Sequence, residues 1–414
     1  MNVRQLVAFL TAFALFLATC KKGPTGPDTS SHTGSTQSNV SWPGLANSPC
    51  SIRLYDPQHT GRSAFRGPQQ GRVGWRYEVM SSNTPTDIFA SPVLNIDGTV
   101  LFGTLGGDLI ALNPDGSKQW QVFPGGSDGS QVLARDGTIY TCTYYPGPPT
   151  LYAHASTGAL LWSYPLTDTI GIAPFTPTIA RDGQTVFVAC GLLYAFSIDG
   201  RLRWKMRPDE LEILGHFPTF SPSGTTLYVT GHRALYAVDT SGQVKWSFPQ
   251  VTSEPSADNA GNLYFTVGNR DLYSLTPEGT VRWHLTGLPE NGGRVTGPVI
   301  GYDGTIYYTG EALVAVSNQG SFLWKLQLPT FTFSQCVPAI DNEGILYLGR
   351  GTAPPSDTLN FMAVRPDGTI KFQVALRAPD GRLPDVDSSP AIGTNGRIYV
   401  GSDRPTSRYF FEVQ

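Results

Sequence analysis

A tryptophan recurs at one place in a repeated pattern, and no other feature narrows the possible folds of this chain as much. Trp75, Trp120, Trp162, Trp204, Trp246, Trp283 and Trp324 each close a Gly-x-x-x-Trp segment, and Phe372 takes the eighth place. Successive intervals are 45, 42, 42, 42, 37, 41 and 48 residues, and seven of the chain's eight tryptophans stand at this position. Three further signatures keep step with it. A proline opens most repeats (Pro92, Pro177, Pro218, Pro255, Pro298, Pro338 and Pro390), with Gln131 in the second. A turn segment such as Asp97-Gly98-Thr99 or Asp136-Gly137-Thr138 follows, then an apolar run such as Leu109-Ile110-Ala111-Leu112 or Leu235-Tyr236-Ala237-Val238.

Each repeat therefore offers four short strands, A to D, from the proline segment to the tryptophan segment. The Asp-Gly pairs between A and B predict two-residue hairpin turns. About 42 residues per unit, repeated eight times, is the arithmetic of an all-β, eight-bladed β-propeller with four-stranded antiparallel blades. The chain stops one residue after the eighth strand C, at Gln414, whereas Gly71 to Val79 is a spare strand D ahead of the first blade. Trp75 is thus expected to complete the last blade beside Phe410–Val413, which removes the open sheet edges. The eight repeat-position rings are expected to pack the seams between blades. Charged residues make up only 15% of the chain and the net charge is −3. This balance excludes a charge-rich disordered chain and a broad electrostatic grip on nucleic acid.

The N-terminus reads as an address. One basic residue, Arg4, precedes an apolar run from Leu6 to Ala18, which at 1.5 Å per residue is too short for the ~30 Å hydrocarbon core. Residues 1–19 therefore read as a secretory signal peptide. Leu17-Ala18-Thr19-Cys20 resembles the bacterial lipobox, with Thr19 where Gly, Ala or Ser is usual, so Cys20 is the expected lipid-attachment residue. The alternative is ordinary cleavage with Cys20 incidental. Residues 20–45, rich in Ser, Thr, Gly and Pro, read as a flexible tether, and 46–414 as the propeller. Lys21 after the cysteine favours the outer membrane by resemblance to sorting in enteric bacteria. Cys50, Cys142, Cys190 and Cys336 are too widely spaced for a zinc motif, and spacing does not decide whether they pair.

The motifs Ser-Pro-x-Ile, Asp-Gly-Thr-Ile-Tyr, Leu-Tyr-Ala-Leu and Gly-x-x-x-Trp resemble the repeats of the pyrroloquinoline-quinone-like propeller superfamily, over roughly residues 42–414. Asp56-Pro57-Gln58-His59-Thr60-Gly61-Arg62-Ser63 resembles the segment leading into the first blade of many exported members. The resemblance implies the fold and leaves function open, because the superfamily holds both quinoprotein dehydrogenases and non-enzymatic envelope lipoproteins, among them the propeller subunit of the outer-membrane β-barrel assembly machine. The dehydrogenase pattern includes a pair of adjacent cysteines over the cofactor; no two cysteines are adjacent here.

No catalytic or metal motif stands out, so no catalytic residue, metal or cofactor is expected. His154, at the end of a strand C, reads as a satisfied semi-buried histidine. If strand A is innermost, the residues just before each proline line one mouth of the central channel: Asp87, Asp128, His216, Glu254, Arg294, Gln335, Asp385 and Asp387. These are candidate binding residues, and the simpler reading is a wet, polar lining. Loops at Tyr144–Thr150 and Arg350–Asn360 are candidate contact surfaces. The reading that results is a monomeric, non-catalytic envelope lipoprotein that binds another envelope protein, touches the membrane only through its anchor, and binds no nucleic acid. The alternatives are a quinone-dependent or other periplasmic enzyme, and a carbohydrate or peptide receptor.

Overall fold

The computed structural model describes residues 36–414 apart from 82–83, 168–175, 208–216, 232–233, 250–252, 269, 290–296, 329–335, 353–357 and 404–407. Eight four-stranded antiparallel sheets follow one another along the chain. Blade 1 is typical, with strand A at Val93–Leu94, B at Val100–Gly103, C at Leu109–Leu112 and D at Lys118–Val122. Strands B and C are buried on both sides because neighbouring blades cover both faces of each sheet. They accordingly read as continuous apolar runs, whereas an outer strand D such as Val73–Glu78 alternates in exposure.

The last blade is built from both ends of the chain. Val73–Glu78 pairs with Tyr409–Val413, aligning Arg76 with Phe411 and Tyr77 with Phe410. Trp75 stacks on Phe410 at a centroid distance of 6.2 Å. Arg72 and Gln414 exchange backbone hydrogen bonds of 2.9 and 2.8 Å, so the chain ends meet where other blades have their C–D turn.

One contact, repeated around the ring, joins blade to blade. Every strand D carries a bulge just ahead of its repeat-position ring, as between Leu112 and Ala111, whose partners are Lys118 and Trp120. The small residue on strand C opposite the ring, for example Ala111, Ala153 or Ser274, leaves room for it. The indole then reaches the C–D turn of the next blade. Trp75 Nε1 donates to Pro114 O at 3.1 Å, Trp162 to Ile198 O at 3.0 Å and Trp324 to Pro366 O at 2.7 Å. Its ring lies under that turn's glycine: a Cβ on Gly116 would stand 2.6 Å from Trp75 and one on Gly279 2.7 Å from Trp246. Phe372 follows suit against Gly71, 2.5 Å from where a Cβ would be, so Gly71 stands in for the turn glycine that the split blade lacks. In seven blades an aromatic ring on strand B flanks the same residue: Tyr140, Phe187, Tyr228, Tyr264, Tyr307, Tyr347 and Tyr399, at 5.8 to 6.2 Å.

The A–B connections differ from the two-residue turns read from Asp-Gly. Asn95 N donates to Thr99 O and Gly98 N to Asn95 O, so three residues intervene and Gly98 adopts φ 84°. This is the type I turn followed by a left-handed glycine, the second common hairpin solution. Asp97 belongs to it because its Oδ1 accepts the Thr99 N–H at 2.9 Å. The packed body also begins earlier than residue 46. Trp42, the one tryptophan outside the repeat, is buried against Phe220 and donates Nε1 to Ile179 O at 2.8 Å. Gln37 N donates to Tyr302 O at 2.7 Å. Composition concealed this because the apolar anchors, Val40, Trp42 and Leu45, are few and scattered in a polar stretch. Cys50, Cys142, Cys190 and Cys336 are four separate buried thiols.

Two glycines separate the seam contact from backbone strain. Gly279 (φ 84°) lies under Trp246, whereas Gly287 (φ 73°) has nothing near its missing Cβ. Gly287→Ala should cost about 1 kcal/mol of left-handed strain. Gly279→Ala should cost about 1–3 kcal/mol more, because the added methyl meets the indole. Urea denaturation of the two variants measures the difference; equal costs would remove the seam from the account.

Candidate functional site

Strand A of each blade has a partner on one side only, strand B. Its other edge faces the axis, with backbone groups that must find partners. The stretch from Trp42 to Ser63 provides them. Leu94 N donates to Cys50 O (2.7 Å), Leu133 N to Ser51 O (2.8 Å), Phe220 N to Pro57 O (2.7 Å) and Ala257 N to Gln58 O (2.9 Å). Ile300 N donates to Thr60 O (2.8 Å) and Ile340 N to Gly61 O (2.7 Å). Ile392 N donates to the Tyr55 hydroxyl (2.9 Å), and Ile179 O accepts from Trp42 (2.8 Å). One strand A residue from each of the eight blades is thereby bound. The segment is a plug across the end of the channel beside the A–B turns.

Its path is tight. Leu54, Tyr55 and His59 adopt φ of 59°, 72° and 57°, the three non-glycine residues found at positive φ among those described. Such conformations persist only where surrounding contacts enforce them. Asp56 does so locally: its carboxylate accepts the Thr60 N–H at 3.0 Å and the Thr60 hydroxyl. Arg62, 1% exposed, donates to Ile300 O at 3.3 Å and Ser38 O at 2.9 Å, and so ties the start of the body to the plug.

The candidate mouth residues divide into two groups. Asp87 pairs with Arg408 at 2.7 Å. Asp128 has its carboxyl pushed up by burial and by the nearby Asp87 charge, opposed by a hydrogen bond from Tyr144. Glu254 is 1% exposed. Arg53 of the plug reaches it at 2.6 Å and lies 4.0 Å over the Phe217 ring. Burial pushes the Glu254 carboxyl up, and the Arg53 charge opposes this. Asp385 accepts from the Thr352 N–H (2.6 Å) and hydroxyl (2.8 Å), and Asp387 is buried within electrostatic reach of Cys336. His216, Arg294 and Gln335 lie outside the described residues, as does Cys20. The structure thus brings Asp87 near Asp128, and Glu254 to Arg53, without gathering the described candidates at one point. Among the described residues no three His, Cys, Asp or Glu side chains form a cluster able to hold a metal ion. His154 donates Nδ1–H to Gly158 O at 3.1 Å, a structural role.

Nothing in the repeat pattern singles out Arg53, and His59 stands out only as part of the lead-in segment 56–63. The available signal was that 50–63 matches no repeat and yet is rich in polar side chains. His59 lies at the plug's centre, with Nδ1 2.9 Å from the Thr219 hydroxyl. Burial, helped by the Arg53 charge, pushes its imidazole down from 6.5 to about 3.

A family model described as outer membrane protein assembly factor BamB matches residues 105–263 and again, two repeats further on, 189–351. Together the matches span more than half of the chain, which therefore belongs to this family of pyrroloquinoline-quinone-like propellers. No curated protein matches the sequence. Among solved structures, BamB from Moraxella catarrhalis is similar at 14% identity, over 83% of this chain and 97% of that one, with a TM-score of 0.59. A europium-containing methanol dehydrogenase is similar at 12% identity over 88% and 90%, with a TM-score of 0.67. Quinohemoprotein alcohol dehydrogenase ADHIIG from Pseudomonas putida HK5 is similar at 11% identity over 88% and 80%, with a TM-score of 0.67. At these identities the likeness establishes the fold.

The described channel residues do not fit pyrroloquinoline quinone, a flat tricarboxylate. The side chains there are mainly carboxylates, two of them, Asp128 and Glu254, already raised by burial. The guanidiniums that reach these carboxylates, Arg53 and Arg408, are engaged by Glu254 and Asp87.

Two outcomes test the plug. Arg53→Ala leaves Glu254 buried without its cation and should cost about 3 kcal/mol in urea denaturation, much of it recovered in Arg53→Met/Glu254→Gln. Below its ordinary value of 6.5 the unfolded His59 takes up a proton that the folded protein holds off until about pH 3. Stability should therefore fall as pH drops from 6.5 towards 3, by up to about 1.4 kcal/mol per unit. His59→Gln should flatten that decline. An unchanged slope would show that His59 is not buried neutral.

Proposed function

We propose that this chain is a non-catalytic scaffold of the bacterial cell envelope, anchored through a lipid on Cys20 and docking another envelope protein on the face opposite its plug. The carrying observation is a cluster of exposed apolar side chains on the rim opposite the plug, among the described residues. Phe123 and Tyr145 are 55% and 65% exposed and Met80 is 38% exposed. They share one corner: Gly126 N bonds to Tyr145 O at 2.5 Å, Gly125 N to Gly107 O at 3.1 Å, and the Phe123 ring packs where a Gly107 Cβ would be. Gln121 Nε2, on the strand that ends just before Phe123, reaches Met80 O at 3.4 Å. Exposed aromatic clusters on rigid rims serve as anchors for partners. Membership of the BamB family supports assembly or scaffolding at the outer membrane as the setting, with the propeller acting as a monomer.

Capture from crosslinked membranes, with the native anchor retained, tests this reading. One stoichiometric protein partner is expected, lost from Phe123→Asp/Tyr145→Ser while the melting temperature holds. Cys20→Ala should move the protein out of the membrane fraction. Recovery of no partner, together with a tightly held quinone and calcium-dependent oxidation of alcohols, would establish the enzyme instead.

A further inference from the structure

Blade 1 departs from the aromatic pairing of the other seven. Leu101 stands on strand B where they have Tyr or Phe, so the Trp120 indole lacks the ring that flanks its counterparts. The seam between blades 1 and 2 opens beside it into a cavity of about 490 Å³ that reaches down to Leu133 of the next strand A and Ala46 of the N-terminal segment. The equivalent groove between blades 4 and 5 has a similar volume, about 540 Å³, but is lined by Tyr228 at the corresponding position and reaches no residue of the next strand A, so depth and not size sets the first seam apart. A volume of this size lies in the ~300–1,000 Å³ range of ordinary ligand sites.

We propose that this seam pocket binds a neutral saccharide, with the sugar ring against Trp120 and its hydroxyls on the turn residues of blades 1 and 2. The chemistry of the walls selects that class. Asn95, Asp97, Gln119, Ser156 and Thr157 supply carboxamide, carboxylate and hydroxyl groups, and no Lys, Arg or His lines the pocket. An anionic ligand would meet Asp97 with no cation to offset it. A wholly apolar one would strip water from these groups without replacing their hydrogen bonds. A sugar offers an apolar C–H face for the indole and a rim of hydroxyls that both donate and accept. The walls are also set in advance. Asp97 Oδ1 accepts the Thr99 N–H at 2.9 Å, Asn95 Oδ1 the Ile96 N–H at 2.8 Å, and Trp120 Nε1 donates to Ser156 O at 3.1 Å. Little ordering is then left to pay for on binding.

Leu101→Tyr tests the site, because it restores the residue type that seven blades carry and should cover the deep end of the pocket beside Leu133 and Ala46 while keeping the fold. Maltotriose and chitotriose serve as probes, with saturation-transfer NMR and calorimetry on the chain with its complete N-terminal segment. One of them is expected to bind to the wild type, and at least about tenfold more weakly to Leu101→Tyr. Gln119→Ala, at the bulged and exposed position, should weaken binding with an unchanged melting temperature. Absence of binding by both sugars, equal binding by Leu101→Tyr, or equal competition by a neutral tripeptide would each overturn the proposal. Partner capture through the Phe123–Tyr145 corner is read separately and is unaffected by these outcomes.

Discussion

The ring exists because an indole from one blade fits under a glycine of the next. A four-stranded sheet alone leaves two apolar faces in water. Stacking sheets around an axis covers both, provided that each seam has a fixed spacing and rotation. The bulge before Trp120, the small Ala111 opposite it, and the close approach to Gly158 together set both quantities. The indole N–H also satisfies a turn carbonyl at the edge of the seam, as Trp120 does for Ser156 at 3.1 Å. Where the chain ends interrupt the pattern, Phe372 and Gly71 reproduce the contact without a covalent turn. At the same junction Gly74 makes room for Glu412, which is buried where other blades have Ala or Ser and is paired with Arg397 at 3.1 Å.

A ring of blades creates a second problem at its centre, where eight inner strands present unsatisfied edges. The plug answers it with main-chain carbonyls and a few side chains, and so fills the end of the channel beside the A–B turns. This arrangement buries an ion pair, Arg53–Glu254, and a neutral histidine, His59. Charge held there stabilises only as a matched set. The centre is accordingly better suited to holding the molecule together than to binding an anionic cofactor.

Variation among the blades is where this member of the BamB family can differ from others of its fold. The seam that carries Tyr228 holds a groove that stops short of the next strand A, whereas the one with Leu101 reaches it. Rim connections are short except where they extend, as at Tyr144–Thr150, and there Tyr145 projects into solvent. A uniform scaffold that carries a few departures is a means of placing contacts at defined angles without altering the core.

The period of the tryptophans, the alternating strands and the spare strand around Trp75 were sufficient to determine eight blades and their closure, because each rests on local spacing that any fold of this chain must respect. Only the tertiary structure decided what occupies the axis. The plug, residues 42–63, pairs with strands up to about 340 positions away and has no periodic pattern, so its partners cannot be read from neighbours in sequence. The same holds for the candidate site. That Asp87, Asp128 and Glu254 stand just ahead of a strand A followed from their place in the repeat. That Arg408 and Arg53 neutralise two of them depended on chain segments brought together by ring closure alone.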